Sequence, residues 1–591
     1  MRNGYPRFFI DPIITAFAED IVKVQGLPTE QALLLPSRAI ALRCFEFFKS
    51  QVPWLEEGKH LKIFILTPKT HGQEPKSLLN STEPLIAAII FPRICFSTAK
   101  TFWQHTGEGI SSRRAEVFRR AFLMGRLLVE EQCIHSMSSP APGRTILEPA
   151  HPLKLTKASM NTPPQIGKGP QRYRKRSLQD ESQAESAGAT SNGSSREPNG
   201  TGGKDHVLFV EERFGRNLDS NLGASAKCAI RRRIAGTLVA DLDLYETDEM
   251  FDATGCERGI SGFSIDDVYL YPSGMSSIFN THRTLMKSRG AMKSICFGFP
   301  YIDTLKILEK WGPGCLFYGH GSSADIDDLE ERCKNGEKFL ALFCEFPGNP
   351  LLKSPDLHRL RLLADKYDFA IVVDETIGNF LNVHVFPFAD VIVSSLTKVF
   401  SGDSNVMGGS SVLNPQGRFY QAIKRTMEED YEDNYWLEDA IFMERNSRDF
   451  VTRIARINKN AEAICSVLKA SSLVKEVYYP KYSPTRRFYD ACRTPSGGYG
   501  GLLSVTFWSK SDSIIFFDAL ATAKGPSLGT NFTLSCPFVL LAHYGELEWA
   551  AQFGAEADLV RVSVGLEDAA DLRATFLRAL DAVKTTRSTA G

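Results

Sequence analysis

The sequence predicts an α/β fold built on a mostly parallel sheet, and three observations predict it. FLALFCEF (339–346), AIVV (370–373) and VIVSS (391–395) are apolar runs of strand length that each give way abruptly to polar residues, as strands buried on both faces do. Amphipathic stretches of helix length alternate with such runs, the pattern of crossover units. The 591 residues, 43% hydrophobic and 10% aromatic, supply a core large enough for that architecture.

In chain order, residues 1–154 form a compact N-terminal segment. Residues 155–205 turn to Ser, Gly, Asn, Pro, Gln and charge, with little to bury, and read as a disordered linker. The RYRKR cluster there (172–176) matches a nuclear import signal in composition, but a short basic run in a solvated linker is the plainer reading. No internal repeat is present. Lys plus Arg and Asp plus Glu both total 69, so no overall field favours nucleic acid or an anionic membrane, and any anion site must be local. The 12 cysteines, Cys44 to Cys536, contain no CxxC pair, so neither a zinc site nor a disulfide scaffold is expected. No apolar run reaches the roughly 18 residues of a membrane helix, and Asp11 and Asp20 interrupt the N-terminal stretch. The expected location is cytoplasmic.

The downstream region carries the chemistry. In YPSGMSS a Ser-Gly turn at Ser273, Gly274 and Met275 opens a helix, where free N–H groups and the helix dipole favour a phosphate; a plain N-cap is the alternative. FLALFCEF ends at PGNP with Asn349, AIVV ends at Asp374, and VIVSS ends beside Lys398. Ligands of open α/β sheets sit outside the carboxyl ends of strands, so an amide, a carboxylate and an amine can converge on one site. Asp374 suits a protonated ring nitrogen, or simply caps a turn. Lys398, partly desolvated in SSLTK, is a candidate for a covalent bond to a carbonyl, or is a surface lysine. Ser395 and Thr397 flank it with hydroxyls that suit the same phosphate or a turn. Arg561 in LVRVSVGLED offers a strand-borne guanidinium for a carboxylate, or an ordinary ion pair.

The series SGM, EFPGNPLL, VVDET, SSLTK, SLGTNFTL and RVSVGLED resembles the Cys/Met-metabolism family of pyridoxal-phosphate enzymes of fold type I. FWQHTGEGISSRRAE, FGFPYIDTLKILEKWGPGCLFYGHG and VRVSVGLED resemble, more narrowly, its fungal cystathionine γ-synthase branch. The resemblance implies a large cofactor-binding domain at 206–460, a small C-terminal α/β domain at 461–591 and pyridoxal 5'-phosphate as cofactor. It implies Lys398 as the Schiff-base lysine, Asp374 as the ring-nitrogen partner and Asn349 near the cofactor oxygen or the substrate. Ser273, Gly274, Met275, Ser395 and Thr397 would form the phosphate cup. Arg561 would bind the substrate α-carboxylate, with Ser527 close to it and to the lysine. FGRN (214–217) offers Arg216 to the phosphate of a neighbouring copy, so a homo-oligomer, a dimer of active dimers, is expected.

Phe214 and Phe297 stand where the wider family has tyrosines, which keeps ring stacking at Phe297 but removes both phenols. The chain starts nearly at GYPRFF, late relative to the pattern, as an incomplete N-terminus or a divergent paralogue would. The implied reaction on small amino-acid substrates is γ-replacement on an O-acylhomoserine by cysteine. Another nucleophile (sulfide or carbon), C–S lyase chemistry and an inactive scaffold remain as alternatives. His105, Glu108, Arg113 and Arg114 in HTGEGISSRR read as a polar helix start with a structural role, and the pocket for the nucleophile is expected near Phe297 and Phe532.

Overall fold

The computed structural model describes residues 9–55, 60–69, 85–132, 221–236 and 258–590. Its strands form three sheets. The first, β1 (Glu30–Leu35), β2 (Lys62–Pro68), β3 (Ile86–Pro92) and β4 (Leu127–Glu131), runs β1-β3-β2-β4 and is antiparallel throughout. Six of the seven residues of β3 are buried, as expected of an inner strand covered by helices such as Pro12–Gln25.

The central sheet contains β5 (Val268–Tyr271), β6 (Ser294–Phe297), β7 (Cys315–Tyr318), β8 (Ala341–Glu345), β9 (Ala370–Asp374), β10 (Val391–Ser394) and β11 (Gly409–Leu413). Its order is β5-β11-β10-β9-β8-β6-β7, with β10, β9, β8, β6 and β7 mutually parallel and β11 antiparallel to both neighbours. The three apolar runs thus become β8, β9 and β10, side by side. Leu342, Cys344, Ile371, Val373 and Ile392 pack into a core on one face, and Ala341, Phe343, Ala370, Val372, Val391 and Val393 into a second core on the other. A strand wanted by two cores has no polar alternation, which is why these runs are continuously apolar.

β12 (Val474–Tyr478), β13 (Leu502–Phe507), β14 (Ala523–Lys524), β15 (Leu534–Pro537) and β16 (Val560–Ser563) form the third sheet in the order β12-β13-β16-β15-β14. Leu503, Val505, Val560 and Val562 meet the helices Phe450–Lys469 and Ala569–Ala590 in the core, while the alternate residues Ser504 and Arg561, partners in register, take the opposite face. Ser504 Oγ there donates to the Pro350 carbonyl at 2.8 Å, which sets the polar face of this sheet against the loop that follows β8. The domain boundary expected at 460 falls inside the continuous helix Phe450–Lys469.

Candidate active site

The carboxyl ends of β8, β9 and β10 bring Glu345, Asp374 and Ser394 to one edge of the sheet, with Asp374 in register with Glu345 on one side and with Val393 on the other. The Thr376 backbone N–H donates to Asp374 Oδ1 at 2.9 Å, and Thr376 Oγ1 accepts from the Ser395 N–H at 2.8 Å, so one threonine ties the ends of two strands together. Ser395 lies against Gly274: a Cβ there would stand 2.7 Å from Ser395 Cβ, so only glycine admits this approach. Gly274 begins the helix Gly274–Arg289, and Ser273 caps it by accepting from the Ser276 N–H at 3.2 Å.

On the other side, Lys398 Nζ donates to Ser527 Oγ at 3.0 Å. Gly529, at φ +71°, crosses over the lysine backbone, where a Cβ would come within 2.5 Å of Val399 N and 3.0 Å of Lys398 Cβ. Arg561 is 2% exposed. It donates to Asn349 Oδ1 at 3.1 Å and to the Pro526 and Ser527 carbonyls at 2.6 and 2.8 Å, and its guanidinium lies 4.3 Å from the centre of the Phe538 ring. Asn349 N–H in turn donates to Glu345 Oε2 at 3.1 Å. Lys398, Ser527, Arg561, Asn349, Glu345, Asp374, Thr376, Ser395 and Gly274 therefore form one continuous chain of contacts.

Glu345, Thr376 and Gly529 were not anticipated from the sequence. For Glu345 a signal existed: an acid closing an apolar run that pairs with a second run closed by an acid. Burial, reinforced by the Asp374 carboxylate, pushes Glu345 up to about 8, and burial also raises Asp374 above the ordinary carboxylate range. Folded, Glu345 keeps its proton up to about pH 8, whereas an exposed glutamate loses it near 4.5. The stability this confers is complete below the lower value and is lost as pH rises through the upper one. Glu345→Gln, neutral throughout, is expected to flatten the fall in Tm of cofactor-free protein between about pH 4.5 and pH 8; thermal melts showing the native slope in the variant would contradict it.

Other expected residues have further partners. Thr397 Oγ1 donates to the Gly408 carbonyl at 3.2 Å and accepts the Gly408 N–H at 3.1 Å, which closes the lysine loop. The Ser273 hydroxyl donates to the Gly107 carbonyl at 3.1 Å, and Met275 also faces that glycine. Phe297 ends β6, buried and edge-on to Tyr318 with ring centres 6.0 Å apart. It lines a cleft of about 420 Å³ together with His320, Glu345, Asn349 and Lys353. Phe532 is 43% exposed and does not line that cleft. Phe214 and Arg216 lie outside the described residues, as do residues 155–205.

The stretch 105–114, expected as one helix start, is instead the end of the helix Phe96–Thr106, a connection, and the start of the helix Ser112–Leu123. His105 Nδ1 accepts from Trp311 Nε1 at 3.3 Å. Arg113 bonds Asp439 at 3.0 Å and the Asn405 carbonyl at 2.8 Å, and Arg114 bonds the Pro36 and Leu85 carbonyls. No helix among the described residues is long and apolar enough to cross a membrane.

The donor set fits pyridoxal phosphate: a helix N-terminus cradled by glycine for the phosphate, a buried carboxylate whose raised proton affinity a ring cation would offset, and an amine within hydrogen-bond reach of a hydroxyl. Comparison with known proteins agrees. The family described as "Cys/Met metabolism PLP-dependent enzyme" matches residues 263–581, and "Fungal trans-sulfuration enzyme, N-terminal domain" matches 13–111. The chain is 48% identical to a cystathionine gamma-synthase of Neurospora crassa, over 98% of this chain and 92% of that one. It is 40% identical to a cystathionine gamma-synthase-like enzyme of Amanita muscaria (99% and 91% covered) and 35% identical to a cystathionine gamma-synthase of Saccharomyces cerevisiae (98% and 93%). With a catalytic-family match spanning more than half its length, and relatives of this kind along nearly all of it, the chain belongs to the Cys/Met metabolism family of pyridoxal-phosphate-dependent enzymes, in its fungal trans-sulfuration branch.

Proposed function

We propose that the protein catalyses γ-replacement on an O-acylhomoserine, with O-acetyl-L-homoserine as the expected ester, by L-cysteine, releasing the carboxylic acid and forming L-cystathionine. The observation that carries the reading is the contact chain joining Lys398, Ser527, Arg561 and Asn349, which sets an amine beside a guanidinium as an amino-acid substrate requires. The likeness along the whole chain to two fungal cystathionine gamma-synthases supports it.

When bound through Lys398, pyridoxal phosphate supplies an electron sink for carbanions next to the amino-acid nitrogen. Asp374 holds the proton on the ring nitrogen, and Phe297 supplies an apolar face at the strand ends. Once displaced by a substrate amine, the Lys398 amine would take the proton from Cα, and after delivering that proton back to the bound group it would be free to take a second from Cβ, so that the ester could leave Cγ as a carboxylate and a thiolate add there. The Ser527 hydroxyl, 3.0 Å from that amine, keeps it oriented. Arg561, fixed by Asn349 and two carbonyls, anchors the α-carboxylate.

Loss of a charge-assisted pair costs about 1.5–3 kcal/mol, roughly 10- to 150-fold. Arg561→Ala is therefore expected to raise KM for the homoserine ester on that scale with unchanged preference among nucleophiles; an unaltered KM, or a switched preference, in steady-state kinetics would remove Arg561 from this role. The reaction itself is tested by supplying O-acetylhomoserine with cysteine, sulfide or a carbon nucleophile and reading products by mass. Cystathionine as the main product supports the reading. Preference for another nucleophile, release of a 2-oxo acid alone, or no product supports in turn a different γ-substitution, a lyase, or a scaffold.

A further inference from the structure

The N-terminal sheet domain reaches the start of the Gly274–Arg289 helix through a single turn, Thr106 to Ile110, in two places. Gly107, at φ +62°, presents its carbonyl to the Ser273 hydroxyl at 3.1 Å, and a Cβ on it would stand 2.7 Å from both Met275 Cβ and Ser276 N. Its neighbour Glu108 is 3% exposed, takes both Arg43 contacts at 2.7 and 2.9 Å, and accepts from Asn280 Nδ2 at 3.0 Å. That amide also donates to the Ser276 carbonyl at 2.9 Å. One contact thus fixes the residue that caps the helix and the other fixes its second turn, while the cap itself leaves the first N–H groups directed outward.

We propose that Glu108 and Gly107 are positioning residues of the phosphate cup, so that the N-terminal domain sets how tightly the cofactor phosphate is held. Arg43 keeps Glu108 oriented through two contacts, Glu108 holds Asn280, and the Gly107 carbonyl fixes the direction of the Ser273 hydroxyl. The anion-binding N–H groups are thereby held in place before the cofactor arrives, which lowers the ordering cost of binding. A brace that is merely structural would affect melting alone. This one discriminates between cofactors with and without a phosphate.

The inference rests on the assignment of Ser273–Met275 to the phosphate. The experiment strips full-length protein of cofactor and titrates it with pyridoxal phosphate and, separately, with pyridoxal, for the wild type and for Glu108→Ala, Glu108→Gln and Asn280→Ala. Glu108→Ala is expected to weaken pyridoxal phosphate binding about tenfold, the scale of one charge-assisted bond, and pyridoxal binding by less than about twofold. Glu108→Gln, which keeps an acceptor for Asn280, should recover most of the loss, and Asn280→Ala should reproduce it from the other side should Glu108→Ala fold poorly. Equal weakening toward both ligands, or a lowered Tm with both affinities intact, overturns the inference alone. A wild-type protein that takes pyridoxal as tightly as pyridoxal phosphate overturns the phosphate assignment and the inference together.

Discussion

Lys398→Ala is expected to abolish turnover of the homoserine ester, by at least about 10³-fold, because one side chain serves as both covalent anchor and base and general-base catalysis alone is worth roughly 10²–10⁴-fold. The cofactor should still bind through its phosphate and ring, since the Gly274 cradle and Asp374 do not depend on the amine. A product assay with the purified variant decides it. Turnover at the native rate would mean that the contact to Ser527 is only an ordinary hydrogen bond of a loop lysine.

Asp374→Asn is expected to keep the cofactor and to lose on the order of 10²-fold or more in kcat, the scale of removing a preorganised electrostatic stabiliser. An amide cannot hold a ring nitrogen protonated, and the Thr376 N–H that now donates to Asp374 Oδ1 can still meet the amide oxygen, so the backbone turn survives. Glu345 sharpens the prediction. It sits opposite Asp374, and burial, the larger cause of its raised proton affinity, persists in the variant, so it is a poor substitute for the lost carboxylate. Near-native kcat in the variant would reduce Asp374 to a strand cap.

Local features made half of this site readable. An apolar run that stops at polar residues marks the ligand end of a parallel strand, and β8, β9 and β10 deliver Asn349, Asp374 and Lys398 from such stops. The Ser-Gly helix start was equally local, with Ser273 as its cap. What the sequence hid depends on distant partners. Ser273 and the Gly107 carbonyl are 166 positions apart, so no window of sequence holds both ends, whereas Ser527 beside Lys398, 129 positions away, was expected from the family resemblance alone. Thr397 likewise has a partner that its place beside the lysine does not announce, the chain returning at Gly408. The fold class followed from the pattern of buried strands.

The most direct test of the site is to reduce the purified holoprotein with borohydride, digest it and map the peptide that carries the cofactor. The account predicts a single modified lysine, Lys398, with the label lost in Lys398→Ala. Cofactor fixed to any other lysine, or a native protein that retains no cofactor after reduction, would contradict it.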